Sequence, residues 1–329
     1  MPIQIHPNFS KLVGQNRAKT LLSAGIAASD RGSELIQPLT LAPKGTGKTE
    51  LSNGYMDALE AKGFQVLRYS SPTELRLPGD TWDEFTSVIS GDKPYALYFD
   101  EIHEMWEDGV KNMRILCSFL RKALDRTNEN RNIRLSETLE VRFDRTVNVI
   151  AGSTNELHVM DEAVVDRFDK IELDLYSEDE LKLILEKMID AQGMEFADDD
   201  VSRLIANCGR GTARPLRNII GEIERLYGID EPITYDQALA ALQLANLYPK
   251  GLTRAEVNLL QMASEKEGVS NAQFLGTYVG VTPQELRLSK GYLSSPNIGF
   301  IGQSARGGMT TTKRGKGYLK LLQQKGFIV

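Results

Sequence analysis

Cysteine is scarce in this chain: two in 329 residues, Cys117 and Cys208. That excludes a disulfide framework. Three histidines (His6, His103 and His158) are scattered, so no zinc-type ligand spacing is present. No apolar run approaches the ~20 residues that cross a bilayer. Met1 to Ser10 has no charged region leading into an apolar core, so no secretory signal is expected. The expectation is a cytoplasmic, reduced protein without membrane contact. The length allows two or three domains.

Acidic residues are missing from one region altogether. Between Leu286 and Val329 there is no Asp or Glu, while eight basic residues stand there. They are Arg287, Lys290, Arg306, Lys313, Arg314, Lys316, Lys320 and Lys325. The whole chain carries −6, so the rest carries −14. The overall charge argues against a simple nucleic-acid-binding protein. The asymmetry argues for an acidic body carrying one basic surface, suited to a polyanion.

What is present begins with Leu39-Thr40-Leu41-Ala42-Pro43-Lys44-Gly45-Thr46-Gly47-Lys48-Thr49. An apolar strand runs into a glycine-rich turn, then Lys-Thr, then a helix-forming stretch. This is the pattern of a phosphate-binding loop. Gly45 and Gly47 let backbone N–H groups face phosphate oxygens, and Lys48 adds a point charge. Thr49 offers a hydroxyl to Mg²⁺, and the helix behind it presents its positive end. Pro43, Gly45, Thr46, Gly47, Lys48, Thr49 and Glu50 form the expected nucleotide-binding run. Ala42 occupies the position where the pattern usually has glycine, and alanine does not tolerate a strained positive φ.

A second motif, Tyr95-Ala96-Leu97-Tyr98-Phe99-Asp100-Glu101, reads as a buried parallel strand ending in two carboxylates. Strand carboxyl ends are where open α/β sheets place ligands. Asp100 is expected to hold Mg²⁺ and Glu101 to polarise an attacking water.

Strand-like and helix-like stretches alternate over residues 1–172, which implies a parallel sheet with helices on both faces. Helices are expected at Gln15–Ala28, Lys48–Lys62 and Val110–Leu124, and a further strand at Val147–Gly152. Ile133 to Phe143 alternates as a hairpin does, either a protruding partner contact or an ordinary edge ribbon. Residues 173–250 read as all-helical. Ser177-Glu178-Asp179-Glu180 is a capping box, and Leu216, Ile219, Ile223 and Leu226 recur at helical spacing. From Gly251 onward three helices and a hairpin follow in the order of a winged helix. Thr282-Pro283-Gln284-Glu285 caps the third helix, with Pro at its first position. Arg287 and Lys290 on that helix, and Arg306, Lys313, Arg314 and Lys316 about the hairpin, are candidate DNA contacts. Gly291 is expected to break that helix near its end.

With these motifs in this order, nearly the whole chain resembles the RuvB family of AAA+ motors, which drive branch migration of Holliday junctions. Val13-Gly14-Gln15-Asn16 resembles the family's Gly-Gln box near the adenine. Asp100-Glu101-Ile102-His103 matches its Asp-Glu-Ile-His. Ser153-Thr154-Asn155 stands at sensor 1, Asp166-Arg167-Phe168 at the end of the large domain, and Arg210-Gly211-Thr212-Ala213-Arg214 at sensor 2.

The resemblance implies an AAA+ P-loop domain (1–172), a helical lid (173–250) and a winged helix (251–329). It implies ATP and Mg²⁺ as ligands and branched or duplex DNA as partner. It also implies a homo-oligomeric ring, a hexamer in the family, and a junction-binding partner protein. Arg167 would act on a neighbour's γ-phosphate, Arg214 on phosphates in its own subunit, and Thr154 or Asn155 would help place the attacking water. Arg167 could instead pair with Asp166 or Asp169. His103 reads as a packed or capping residue. A reading of another class uses the same fold as an ATP-gated loader or adaptor that recruits a replication or recombination protein.

Overall fold

The computed structural model describes residues 3–75, 79–106, 113–125, 132–135, 140–266, 268–278, 281–305 and 307–328. The chain divides into two compact units, residues 1–180 with 211–213, and residues 181–210 with 214–329.

In the first unit, α1 (Asn16–Ser29) precedes β1 (Pro38–Leu41), and α2 (Lys48–Glu60) leads into β2 (Gln65–Tyr69). Then come α3 (Asp80–Ile89), β3 (Tyr95–Phe99) and α4 (Met113–Ala123). A two-stranded antiparallel ribbon follows, β4 (Asn132–Arg134) with β5 (Glu140–Arg142). The unit continues through β6 (Asn148–Thr154), α5 (Glu162–Val165) and β7 (Asp169–Glu172). Five strands make one parallel sheet in the order β2-β3-β6-β1-β7.

Side chains alternate across β3, so its two faces enter two different clusters. Ala96 and Tyr98 pack with Leu22, Leu51 and Tyr55 of α1 and α2. Tyr95, Leu97 and Phe99 pack with Phe85 of α3 and Phe119 of α4. Every residue of β3 and β6 is buried, as covering helices on both faces require. The α3 helix was not expected, although Trp82, Phe85 and Ile89 form its buried stripe. Nor was β7, an edge strand with Ile171 as its one buried side chain. Of the expected Val110–Leu124 helix, residues 110–112 lie outside the described residues. So do 136–139 of the expected hairpin.

α6 (Glu178–Gln192) starts within the first unit and ends in the second. Ser177 and Glu180 make the expected box at its start. The second unit goes on with α7 (Asp199–Ala206), α8 (Arg214–Tyr227) and α9 (Tyr235–Leu244). A minimal antiparallel pair follows, β8 (Leu247–Tyr248) with β9 (Leu252–Thr253). Then come α10 (Arg254–Glu265), α11 (Asn271–Thr277) and α12 (Pro283–Ser294). The hairpin β10 (Ile301–Gln303) and β11 (Met309–Thr311) precedes α13 (Lys313–Gln324). Val269 bridges Met309, so the segment before α11 adds a third edge to the hairpin.

One expectation changes here. α12 runs through Gly291 to Ser294, because Leu293 is fully buried and Tyr292 is tied down by its hydroxyl on the Lys250 carbonyl at 2.6 Å. These anchors outweigh the roughly 0.5–1 kcal/mol that a mid-helix glycine costs. Leu226 is 41% exposed, while Leu216, Ile219 and Ile223 are buried. Lys313, Arg314 and Lys316 do not extend the hairpin; they stand on the first turn of α13. Two glycines obscured that helix. Its stripe is Gly315, Tyr318, Leu319 and Leu322, all buried. A Cβ at Gly315 would lie 2.3 Å from the Phe300 carbonyl, so only glycine fits there.

Candidate active site

β1 delivers the chain into the turn 42–47, and α2 takes it away. Gly45 and Gly47 hold φ of 87° and 91°, in the left-handed region that glycine enters without penalty. Ala42 is not among the residues with positive φ, so alanine at that position meets no backbone strain. A Cβ on Gly47 would come within 2.6 Å of the Tyr176 hydroxyl and 2.8 Å of Leu12 Cδ1. Inside the turn, Thr46 Oγ1 donates to the Pro43 carbonyl at 2.8 Å, and Lys48 Nζ to the Ala42 carbonyl at 2.7 Å.

The loop is also braced from outside. The Tyr176 hydroxyl donates to the Thr46 carbonyl at 2.8 Å, and the Gln15 amide to that carbonyl at 3.4 Å and to Asp174 at 2.8 Å. The Ala213 N–H donates to the Gly45 carbonyl at 2.8 Å. Val13 is half-buried just ahead of Gln15. Burial pushes the Tyr176 phenol up to about 12, so it stays a donor at neutral pH. Sequence reasoning missed Tyr176, which carries no motif of its own. No side chain caps α2 at Gly47, and Glu50 lies exposed in its first turn.

Sheet register brings the remaining groups to this loop. Leu41 pairs with Thr154 across β1 and β6, and Phe99 with Gly152 across β3 and β6. The ends of three neighbouring strands therefore carry the P-loop, Asp100-Glu101 and Ser153-Thr154 side by side. Thr49 Oγ1 donates to Asp100 Oδ2 at 3.2 Å. Asp100 Oδ1 accepts from the Glu101 N–H at 3.1 Å and from the Ser153 hydroxyl. A hydroxyl and a carboxylate converging in this way suit a small hard cation. Mg²⁺ in such sites takes one or two protein oxygens and fills its remaining positions with phosphate and water. Among the described residues there is no cluster of three or more His, Cys, Asp or Glu for a full protein cage.

Glu101 is held in a left-handed conformation, φ 45°. Its Oε1 lies 3.4 Å from Lys44 Nζ and its Oε2 lies 3.6 Å from His103 Nδ1. Thr154 and Asn155 part company: Thr154 is fully buried with its hydroxyl 2.9 Å from His103 Nδ1, while Asn155 is exposed. Thr154 Oγ1 also accepts the Glu156 N–H at 2.9 Å.

Arg167 does not pair with Asp166 or Asp169. Asp166 is taken by Lys170, and Asp169 accepts the Gln37 N–H. Arg167 instead donates to the Ala163 carbonyl at 3.0 Å and to Asp125 at 3.2 Å, leaving its side chain 31% exposed.

In the second unit, Arg214 is exposed as the first residue of α8. Arg210, with φ 53°, forks onto Glu256 at 3.0 and 3.1 Å and stacks on the Tyr292 ring at 3.6 Å. That contact joins the turn before α8 to α10 and α12. Arg287 on α12 is exposed, and Lys290 donates to Asn271 at 3.0 Å. Lys313, Arg314 and Lys316 are exposed together on the first turn of α13. Arg306 lies outside the described residues.

Residues 38–174 match the model of the ATPase family associated with various cellular activities (AAA). The chain is 27% identical over 320 residues to the Holliday junction branch migration complex subunit RuvB of Fervidobacterium nodosum, covering 94% of this chain and 87% of that one. It is 26% identical over 326 residues to the protein of the same name from Thermosipho melanesiensis, with 97% and 98% covered. A solved structure titled as the Thermotoga maritima RuvB Holliday junction branch migration motor superposes with a TM-score of 0.63 at 22% identity, covering 94% of this chain and 95% of that chain. Among the described residues no helix is long and apolar enough to cross a membrane.

Proposed function

We propose that this chain is a RuvB-type AAA+ ATPase that hydrolyses Mg²⁺-bound ATP in a homo-oligomeric ring to move duplex arms of branched DNA. The observation that carries this is the meeting of Lys48, Thr49, Asp100, Glu101 and Thr154 at the ends of three adjacent strands. Gly45 to Thr49 bind the phosphates, Val13 lies toward the adenine, and Lys48 sets its charge against the β- and γ-phosphates. Thr49 and Asp100 hold Mg²⁺, which supplies charge neutralisation on the transferring phosphoryl group. Glu101 accepts hydrogen bonds from the attacking water, and Thr154 fixes the neighbouring geometry.

Arg167 is offered to the next subunit, where such a finger is worth about 10³–10⁵ in rate. Its bonds to Asp125 and the Ala163 carbonyl hold it just past α5 until a neighbour's nucleotide competes for it. Arg214 reads the phosphates in its own subunit.

The DNA reading rests on α12 and α13. Three cations on the first turn of α13 stand at the positive end of the helix dipole. Each costs roughly 0.3–1 kcal/mol where an anion would stabilise, and phosphates reverse that sign. Arg287 and Lys290 on α12 extend the same chemistry, and Arg306 joins them by sequence. A hexamer and a junction-binding partner protein complete the proposal.

The test is steady-state ATP hydrolysis titrated with four-way junction, linear duplex and single strand, beside the Arg167→Ala variant. Stimulation by junction or duplex, with turnover collapsing in Arg167→Ala, supports the ring motor. Turnover indifferent to every DNA sinks the motor and favours an ATP-gated loader.

A further inference from the structure

His103 stands within reach of both the Glu101 carboxylate and the Thr154 hydroxyl. It belongs to the short turn Ile102–Trp106 that follows β3 and is 5% exposed. Its Nδ1 is 2.9 Å from Thr154 Oγ1 and 3.6 Å from Glu101 Oε2. That carboxylate oxygen is itself buried and has no hydrogen-bond partner. A buried, unsatisfied carboxylate oxygen is costly. In the tautomer that carries its proton on Nδ1, that single N–H has two acceptors before it and can serve one well at a time.

Resting on the ATPase reading, we propose that His103 is the positioning residue that couples Glu101 to Thr154. With its N–H on Thr154, Glu101 leans on Lys44 through Oε1 alone. With its N–H on Glu101, the carboxylate is fixed from both sides, and Thr154, which keeps the Glu156 N–H at 2.9 Å, is released from the ring to substrate. Thr154 pairs with Leu41 in register and so stands beside the proposed phosphate loop. A displacement there is transmitted through one ring nitrogen to the group that orients the water. A base oriented by a third side chain is a recurring arrangement in enzymes, and a misplacement of about 1 Å at such a group can cost on the order of 10²-fold in rate.

The chemistry gives a discriminating pair of variants. The side-chain amide of Asn reaches the place of Nδ1, whereas that of Gln reaches the place of Nε2. The full-length chain, as His103→Asn, His103→Gln and His103→Gln with Glu101→Gln, is assayed for kcat and KM of ATP hydrolysis. Affinity for a fluorescent ATP analogue is measured on the same samples. His103→Asn is expected to keep most of the kcat. His103→Gln is expected to lose on the order of 10²-fold in kcat, with KM and analogue affinity unchanged. Added to Glu101→Gln, His103→Gln is expected to do nothing further, since the group it positions is already gone. Equal losses in the Asn and Gln variants, a loss carried by KM, or a full multiplicative loss in the double variant would overturn the proposal while the ATPase reading stands. An inactive wild-type chain overturns both.

Discussion

The first three helices of the first unit start differently from those late in the second, although α5 and α6 also begin in the first unit with side-chain caps at Asp161 and Ser177. In the second unit α9, α10, α11 and α12 each begin with a complete capping box, at Thr234, Thr253, Ser270 and Thr282. In the first unit α1, α2 and α3 begin at Gln15, Gly47 and Gly79 with no side-chain cap. A capping side chain satisfies N–H groups that a helix start otherwise leaves to water or a ligand. The second unit therefore completes its own hydrogen bonding locally, as a module that holds a shape does. At α2 no side chain takes the first N–H groups, which leaves them for the phosphates of the proposed nucleotide. Capping side chains and an anionic ligand compete for the same donors, and at α2 those donors are left without a side-chain cap.

The largest effect expected from testing this contrast is at Arg210. Arg210→Ala leaves Glu256, 2% exposed, without its charge partner, which costs about 3–5 kcal/mol in comparable buried pairs. The denaturant midpoint should fall sharply, and Arg210→Lys should not restore it, because an ammonium cannot fork or stack in the same way. Gly47→Ala comes next. It forces a Cβ into φ 91° against Tyr176 and Leu12, about 1–3 kcal/mol of strain before the clash. Equilibrium titration should show nucleotide affinity falling by more than tenfold. Thr234→Ala, in a box remote in sequence from the phosphate loop, should cost about 1 kcal/mol of stability and leave nucleotide affinity alone. If Gly47→Ala binds nucleotide normally while Thr234→Ala weakens it, the division of labour is wrong.

The smallest effect concerns acid. Glu285 accepts the Thr282 N–H and hydroxyl, and these bonds hold its carboxyl below the ordinary value of 4.5. The folded value is depressed, so the contribution is complete above 4.5 and fades as pH falls through the lower folded value. Thermal unfolding followed from neutral pH down through that window should be slightly steeper in pH for the wild type than for Glu285→Gln.

Much of this was legible because local chemistry was self-sufficient. Thr282-Pro283-Gln284-Glu285 announces a helix start without help from the rest of the chain, and the helix begins there. The buried run Tyr95–Phe99 announces a central strand in the same way. Legibility failed where a distant contact outweighed a local preference. Gly291 and Gly315 argue against helix, yet Tyr292 is anchored on Lys250 and the Phe300 carbonyl leaves no room beside Gly315. The short edge strand Asp169–Glu172 has too few apolar residues to show a period, and it exists because β1 offers it a partner.

The candidate site divides along the same line. The sequence by itself determined the candidates, namely the proposed phosphate loop, the Asp100-Glu101 pair and the Thr154 region, since each is a contiguous run whose residue types suggest a chemistry. Only the tertiary structure decided that Tyr176 and Gln15 brace the loop, that Arg167 rests on Asp125, and that His103 stands between Glu101 and Thr154. Those contacts join residues from different elements, and the sheet register and turn geometry that bring them within hydrogen-bond reach are properties of the folded chain.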